Sequence, residues 1–186
     1  MKLIKKLLLS ALALVCTVTA FASCGGQNND NNGDNNNGGS DVVTTIEKDL
    51  SEIAEYVMNN SDIGLRLMAT DNTNEYFYLE GATGLTDETL VKEVIVYESA
   101  FGSQAVSFVF VRVSEGKNAV DVAKEMYEKI DRRKWICVGA DTDAVAASAD
   151  LVCFGMADSG YEIDLNKVIE NFKSECGGKL DYHYQK

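Results

Sequence analysis

The stretch AVSFVFVRV, residues 105–113, constrains the fold more than any other part of the chain, because it is apolar in both directions. Side chains alternate across an extended strand. Val106, Phe108 and Phe110 therefore point one way and Val109, Val111 and Val113 the other. A strand with one face in water would show polar residues at every second position. This one belongs in the middle of a sheet. The preceding LVKEVIVYE, residues 90–98, is equally rich in β-branched and aromatic residues, and SAFGSQ between them supplies a turn. The two runs read as neighbouring antiparallel strands. WICVGA, residues 135–140, and DLVCFGMAD, residues 150–158, read as further strands.

Helical spacing appears three times. Val43, Ile46, Leu50, Ile53, Ala54 and Val57 share one face of a first helix that runs to Asn59 with Asp41 as its cap. Asn118 opens a second, with Val122, Met126 and Ile130 on one face and Asp121 strengthening its start. A third holds Leu165, Val168, Ile169 and Phe172, with Ser159 and Glu162 as a capping box and Gly177 and Gly178 closing it. Between residues 61 and 87, DIGLRLMA and EYFYLEG each suit a short helix or a turn, and neither is assigned. The order helix, strand, strand, helix, strand, helix predicts one α+β domain over residues 42–186. Its sheet is small and mainly antiparallel, of three to four strands, with amphipathic helices packed on one face.

Ahead of this domain, MKLIKKLLLSALALVCTVTAFASC begins with Lys2, Lys5 and Lys6, continues through an apolar run from Leu7 to Ala22, and ends in small residues before Cys24. That is the layout of an export signal over residues 1–23, and the apolar run is shorter than the roughly 20 residues of a spanning helix. Phe-Ala-Ser-Cys resembles the lipobox of bacterial lipoproteins, in which the Cys thiol receives a diacylglycerol before cleavage. The resemblance implies lipidation at Cys24. Two acyl chains hold a protein stably on a membrane where one holds it marginally. Cys16 follows Leu14 and Val15, which are too bulky for such processing, and it is read as a passenger.

Residues 24–41 form a tether. From Gly25 to Asp41 there is no hydrophobic residue to offset the entropy of ordering, and the run is almost entirely Asn, Gly and Asp. As a flexible coil it would reach about 20–25 Å. Asp30, Asn32, Asp34 and Asp41 fall at positions 1, 3, 5 and 12 of a calcium loop. Asn35 stands where the turn needs Gly, however, and no bidentate Glu closes the loop, so a calcium site is not expected.

Charge excludes other classes. The net charge is −12, and loss of the first 23 residues, with three Lys and no acid, takes it to −15. Such a chain is repelled by nucleic-acid phosphates and by anionic lipid heads. Membrane attachment then rests on the lipid anchor, and the remaining partners are an envelope protein or an extracellular ligand.

The chemistry-bearing residues are few. The only His is His183, three residues from the C-terminus, where chains often fray, so histidine-based nucleophile pairs and metal sites are not expected. Asp141 and Asp143 have the D-x-D spacing that can hold a metal with nucleotide phosphates, but they read as a solvated loop. Lys129, Arg132, Arg133 and Lys134 crowd the end of the second helix, where cations complement its dipole. Cys137, Cys153 and Cys176 are odd in number. Cys137 and Cys153, each in an apolar run, read as buried thiols, with a single bridge between them as the alternative. No catalytic residue, metal or cofactor is expected.

AVSFVFVRVSEGKNAVDVAKEMYEKI followed by ADLVCFGMADSGYEIDLNKVIENF, behind a lipobox and an Asn/Gly-rich tether, resembles the short lipoproteins of Gram-positive bacteria grouped as domain-of-unknown-function family 4358. The resemblance spans Leu79 to Phe172. It implies a location and a domain type and supplies no catalytic residues. The expected role is a non-catalytic binding or interaction domain on the extracytoplasmic side of the cell membrane. The alternative is a carboxylate-dependent hydrolase acting on cell-wall glycan, for which abundant carboxylates identify no particular pair.

Overall fold

The structure is a computed structural model that describes residues 45–186. The expected signal peptide, the lipidation at Cys24 and the tether lie outside the described residues. So do the calcium-loop positions Asp30, Asn32, Asp34, Asn35 and Asp41, together with Cys16 and Val43.

The sheet has six strands, not the expected three to four. They are β1 (Leu67–Asp71), β2 (Val91–Ser99), β3 (Val106–Val113), β4 (Thr142–Ser148), β5 (Leu151–Ala157) and β6 (Tyr182–Gln185), in the order β1-β2-β3-β5-β4-β6. Every neighbouring pair is antiparallel. Four helices accompany it: α1 (Leu50–Asn60), α2 (Leu79–Thr83), α3 (Ala119–Lys129) and α4 (Leu165–Glu175).

The helices cover both faces of the sheet, which corrects the expectation of one covered face. Val106, Phe108 and Phe110 pack with α1 and α4, while Val109, Val111 and Val113 pack with α3 and Leu85. The topology explains the arrangement. β3 and β4 are both antiparallel to β5 and so parallel to each other, and β5 and β6 are parallel through β4 by the same reasoning. The chain crosses from β3 to β4 through α3 and from β5 to β6 through α4, stepping the same way along the sheet each time. Because β3 and β5 run in opposite directions, crossovers of one hand must place their helices on opposite faces, and parallel crossovers are right-handed almost without exception.

Three local expectations are corrected. WICVGA is not a strand: it is an irregular connection in which Cys137 has φ +62. The fourth strand is TDAVAAS instead, the stretch read as a solvated D-x-D loop. Alanine is a poor strand former, but Ala144 and Ala146 face the α4 side and Val145 and Ala147 the α3 side. Small side chains let a helix approach β4 from each face, and packing overrides propensity. At the C-terminus, His183 lies in β6, where it pairs with Ala146 rather than fraying.

The helix starts also differ. α1 begins at Leu50, so Ile46 precedes it. Ile46 is held in a non-helical segment because its N–H donates to Asp150 Oδ1 at 2.9 Å and its carbonyl accepts from Arg112 at 2.9 Å. α3 starts as expected, with Asn118 accepting from the N–H groups of Val120 and Asp121. α4 is capped by Asp164, which accepts from Asn166 and Lys167, while Glu162 takes a left-handed conformation that ends a separate turn at Ser159–Tyr161. Its other end closes as expected, with Gly177 at φ +75 and Gly178 at φ +84.

Gly84 caps α2 at φ +78, and a Cβ there would lie 2.5 Å from the Ile130 backbone nitrogen. Gly116 has a similar φ of +76 with open space around it. Gly84→Ala should therefore cost roughly 2–4 kcal/mol, strain plus overpacking. Gly116→Ala should cost about 1 kcal/mol from backbone strain alone. Urea unfolding of both variants checks the difference, and equal losses would refute the close approach.

Candidate binding site

Two of the domain's concavities have side chains of both charge signs in their lining. The larger, about 420 Å³, lies at one end of the sheet beside the register shift between Val91 and Glu93 in β2. Bulges of this kind widen and twist the local ladder. Glu47, Asp49, Glu93, Glu115 and Asp150 contribute carboxylates to it, and Lys92 and Arg112 contribute cations.

Most of its polarity is already used within the fold. Arg112 and Asp150 are nearly buried and meet at 2.5 Å. Arg112 also donates to the carbonyls of Ile46 and Lys48, at 2.9 and 2.6 Å. The pair is a clamp on the segment that leads into α1. Breaking one partner of such a buried pair leaves the other charge uncompensated.

The smaller concavity, about 250 Å³, is a trough on the opposite face, over β1 and β2. Met68 lies across from Glu98 and Thr70 across from Val96, so all four side chains share its floor. Tyr76, Phe77, Tyr78, Gly81 and Ala82 form a wall. Tyr76 is 85% exposed, Tyr78 64% and Met68 56%, which is unusual clustering for large apolar side chains.

Local structure explains the wall. Asp71 accepts from Thr73 N–H at 2.8 Å and Asn74 accepts from Tyr76 N–H at 2.9 Å, two short turns that carry the chain back over the sheet. The Thr73 bonds also hold the Asp71 carboxyl below its usual range. The Tyr78 ring lies against Gly81, where a Cβ would stand 2.6 Å from it. Its hydroxyl donates to Glu80 at 2.5 Å, and that bond raises the phenol above its ordinary value.

The end of the trough is formed by Lys134, which pairs with Glu98 and lies 3.4 Å from both Ser107 Oγ and the Gly81 carbonyl. Its charge is thus neutralised where it stands. The trough offers exposed aromatic faces and apolar floor around one satisfied polar group, the general make-up of a binding site.

The residues singled out in the sequence do not assemble there, Lys134 excepted. Asp141 accepts from the Ser159 N–H and hydroxyl, both at 2.7 Å, and these bonds lower its carboxyl. Asp143 is buried and meets Arg132 at 2.5 Å. The D-x-D pair is split between two separate structural contacts, the Asp143 one through Oδ2 alone, while its buried Oδ1 has no hydrogen-bond partner. Arg132 also donates to the Tyr127 carbonyl at 2.9 Å, so it caps α3 as expected of a cation at a helix C-terminus. Burial, first, and the Asp143 charge, second, push the Tyr127 phenol up to about 12. Lys129 pairs with Glu125 one turn earlier. Among the described residues, no group of three or more His, Cys, Asp or Glu could hold a metal ion.

Cys137, Cys153 and Cys176 are free thiols, so the alternative of a Cys137–Cys153 bridge is not adopted. Cys153 and Cys176 are buried and Cys137 is exposed, which corrects the expectation of a buried Cys137. Burial raises the Cys153 thiol, and it pushes Cys176 up to about 12. No family model, no curated protein and no solved structure matches the chain.

The trough was missed because it draws on residues 61–87, which have no clear period. EYFYLEG held the available signal, three aromatic residues in succession beside two acids. For the cysteines, alkylation of the native chain at pH 8 should label Cys137 rapidly and leave Cys153 and Cys176 unmodified until the chain unfolds. Site-resolved mass spectrometry checks this, and equal labelling of all three would contradict the burial.

Proposed function

We propose that the chain is a lipid-anchored, extracytoplasmic binding domain of the cell envelope, non-catalytic, that holds its partner in the trough over β1 and β2. The observation that carries this reading is the exposed Tyr76, Tyr78 and Met68 around the neutralised Lys134–Glu98 pair. The lipobox-like FASC ending at Cys24 and the Asn/Gly-rich run behind it support anchoring and reach. Among the described residues no helix is long and apolar enough to cross a membrane. The Arg112–Asp150 clamp receives the incoming chain on the α1 face, and the trough opens on the other.

Cys24→Ala should release the protein from the membrane fraction, and continued tight retention would refute lipidation as the cause. Crosslinking of the anchored protein in cells should capture an envelope partner that Tyr76→Ala with Tyr78→Ala loses by about tenfold or more, the usual range for paired aromatic anchors. Undiminished capture by the double variant counts against the trough.

The alternative, a carboxylate-dependent hydrolase acting on cell-wall glycan, draws support from the five carboxylates of the larger cavity. Its expected signature is glycan cleavage that Glu93→Gln or Glu115→Gln reduces by about 100-fold or more, as loss of an acid or base does. Absence of cleavage across a panel of wall glycans argues against it.

A further inference from the structure

We propose that the free edge of β1 and the trough beside it together receive an extended, basic segment of a partner polypeptide, which adds to the sheet as one more strand. This rests on the binding reading above and names the class of partner. β1 is an outermost strand, paired only with β2 among the described residues. Its register against β2 is unbroken from Leu67 to Asp71.

The direction of its backbone groups follows from the ladder. Asn72, one residue beyond β1, donates its N–H to the Val94 carbonyl at 3.2 Å, in the position that continues the register. Backbone groups alternate in direction along an antiparallel strand. Thr70 and Met68 therefore turn theirs toward β2, and Leu67, Ala69 and Asp71 turn theirs outward, with the Asp71 carbonyl already taken by the Asn74 N–H at 3.1 Å.

An outward row of this kind is a template for another strand unless the edge is blunted by Lys, Pro or a bulge. LMATD contains none of these. A strand laid along it would place every second side chain on the trough face, beside Met68 and Thr70 and near Tyr76 and Tyr78. At about 250 Å³ the trough is below the usual size for a drug-sized ligand but has room for side chains. Strand addition divides the work in this way, with backbone bonds giving affinity and pockets giving specificity.

Charge selects the occupant. Residues 67–91 carry five acids, Asp71, Glu75, Glu80, Asp87 and Glu88, and no Lys or Arg. Arg66 precedes the strand, and Lys134 is neutralised by Glu98. Of the five acids, Glu80 accepts from the Tyr78 hydroxyl at the trough wall and Glu75 adjoins Tyr76, so Lys or Arg side chains of a partner on this face would find carboxylates beside aromatic rings, a setting that favours cations. A second copy of this chain, at net charge −12, would be repelled.

The test uses the full chain in detergent and a short fluorescent peptide of alternating Lys and Val, with a Glu and Val peptide as control. The Lys peptide should bind, more weakly as salt rises, and the Glu peptide should not. Ala69→Pro removes one outward N–H without touching the β1–β2 ladder and should weaken binding about tenfold or more, with thermal unfolding little changed. Should that variant fail to fold, N-methylation of alternate peptide residues decides on the native chain: one set should abolish binding and the other spare it.

Tight binding unaffected by Ala69→Pro and by both methylated sets, yet lost in Tyr76→Ala with Tyr78→Ala, overturns strand addition and leaves the trough reading intact. Capture insensitive to the tyrosine pair sinks both. Equal binding of the Glu peptide overturns the basic partner, and a dimer in sedimentation that Ala69→Pro dissociates makes the occupant a second copy and overturns the proposal.

Discussion

Complete burial of β3 and β5 on both faces is the constraint from which the rest of the domain follows. Every residue of the two strands is buried. Phe108 and Phe110 on one side and Phe154 on the other are fully enclosed, and truncating any such ring costs about 3–5 kcal/mol. Two adjacent strands of this kind require cover above and below. The chain supplies it with crossovers that leave from each of them, and because these strands are antiparallel, a single crossover hand delivers α3 to one face and α4 to the other.

The Arg112–Asp150 pair shows how a charged residue survives in so apolar a strand. Arg112 lies on the α1 side at the end of β3, and Asp150 stands just before β5, so the pair spans the two central strands at one end. Desolvating both charges is costly. The cost is offset by further hydrogen bonds: Asp150 accepts the Ile46 N–H and Arg112 donates to the carbonyls of Ile46 and Lys48. Satisfying the backbone of the incoming segment in this way keeps it out of α1, even though Ile46 has the spacing to belong to the helix.

What was legible in the sequence was the pattern with a strong period. The opposite faces of β3, the β2–β3 pairing, the body of each long helix, the Asn118 cap and the Gly177–Gly178 closure are all as the spacing indicates. Local chemistry misled where tertiary packing decides. Trp135, Ile136 and Val138 have strand-forming side chains, yet that stretch is irregular, while alanine-rich β4 is buried because helices need small residues beneath them on both sides. Ser159 and Glu162 match a capping box, but Asp164 lies nearer the helix and takes the exposed N–H groups itself. β1 and β6 are short edge strands whose pairing is fixed by partners remote in sequence, and such strands carry little local signal.

The trough is a consequence of the same topology. Both crossovers step from the central strands toward β6, so α3 and α4 serve that half of the sheet. On the α4 face, α1 fills the remaining half by packing against β2 and β3 and against α4. On the α3 face, the other half receives no long helix among the described residues, but the five-residue α2, the turns before it, Leu85 after it and Lys134 at the end of the trough. A helix of that length cannot span β1 and β2, so Met68 and Thr70 are left beside Tyr76 and Tyr78 instead of beneath a complete layer. The uncovered part of the sheet is thus the part adjoining its free edge, and in EYFYLEG the sequence places aromatic residues and acids where a completed core would need aliphatic ones.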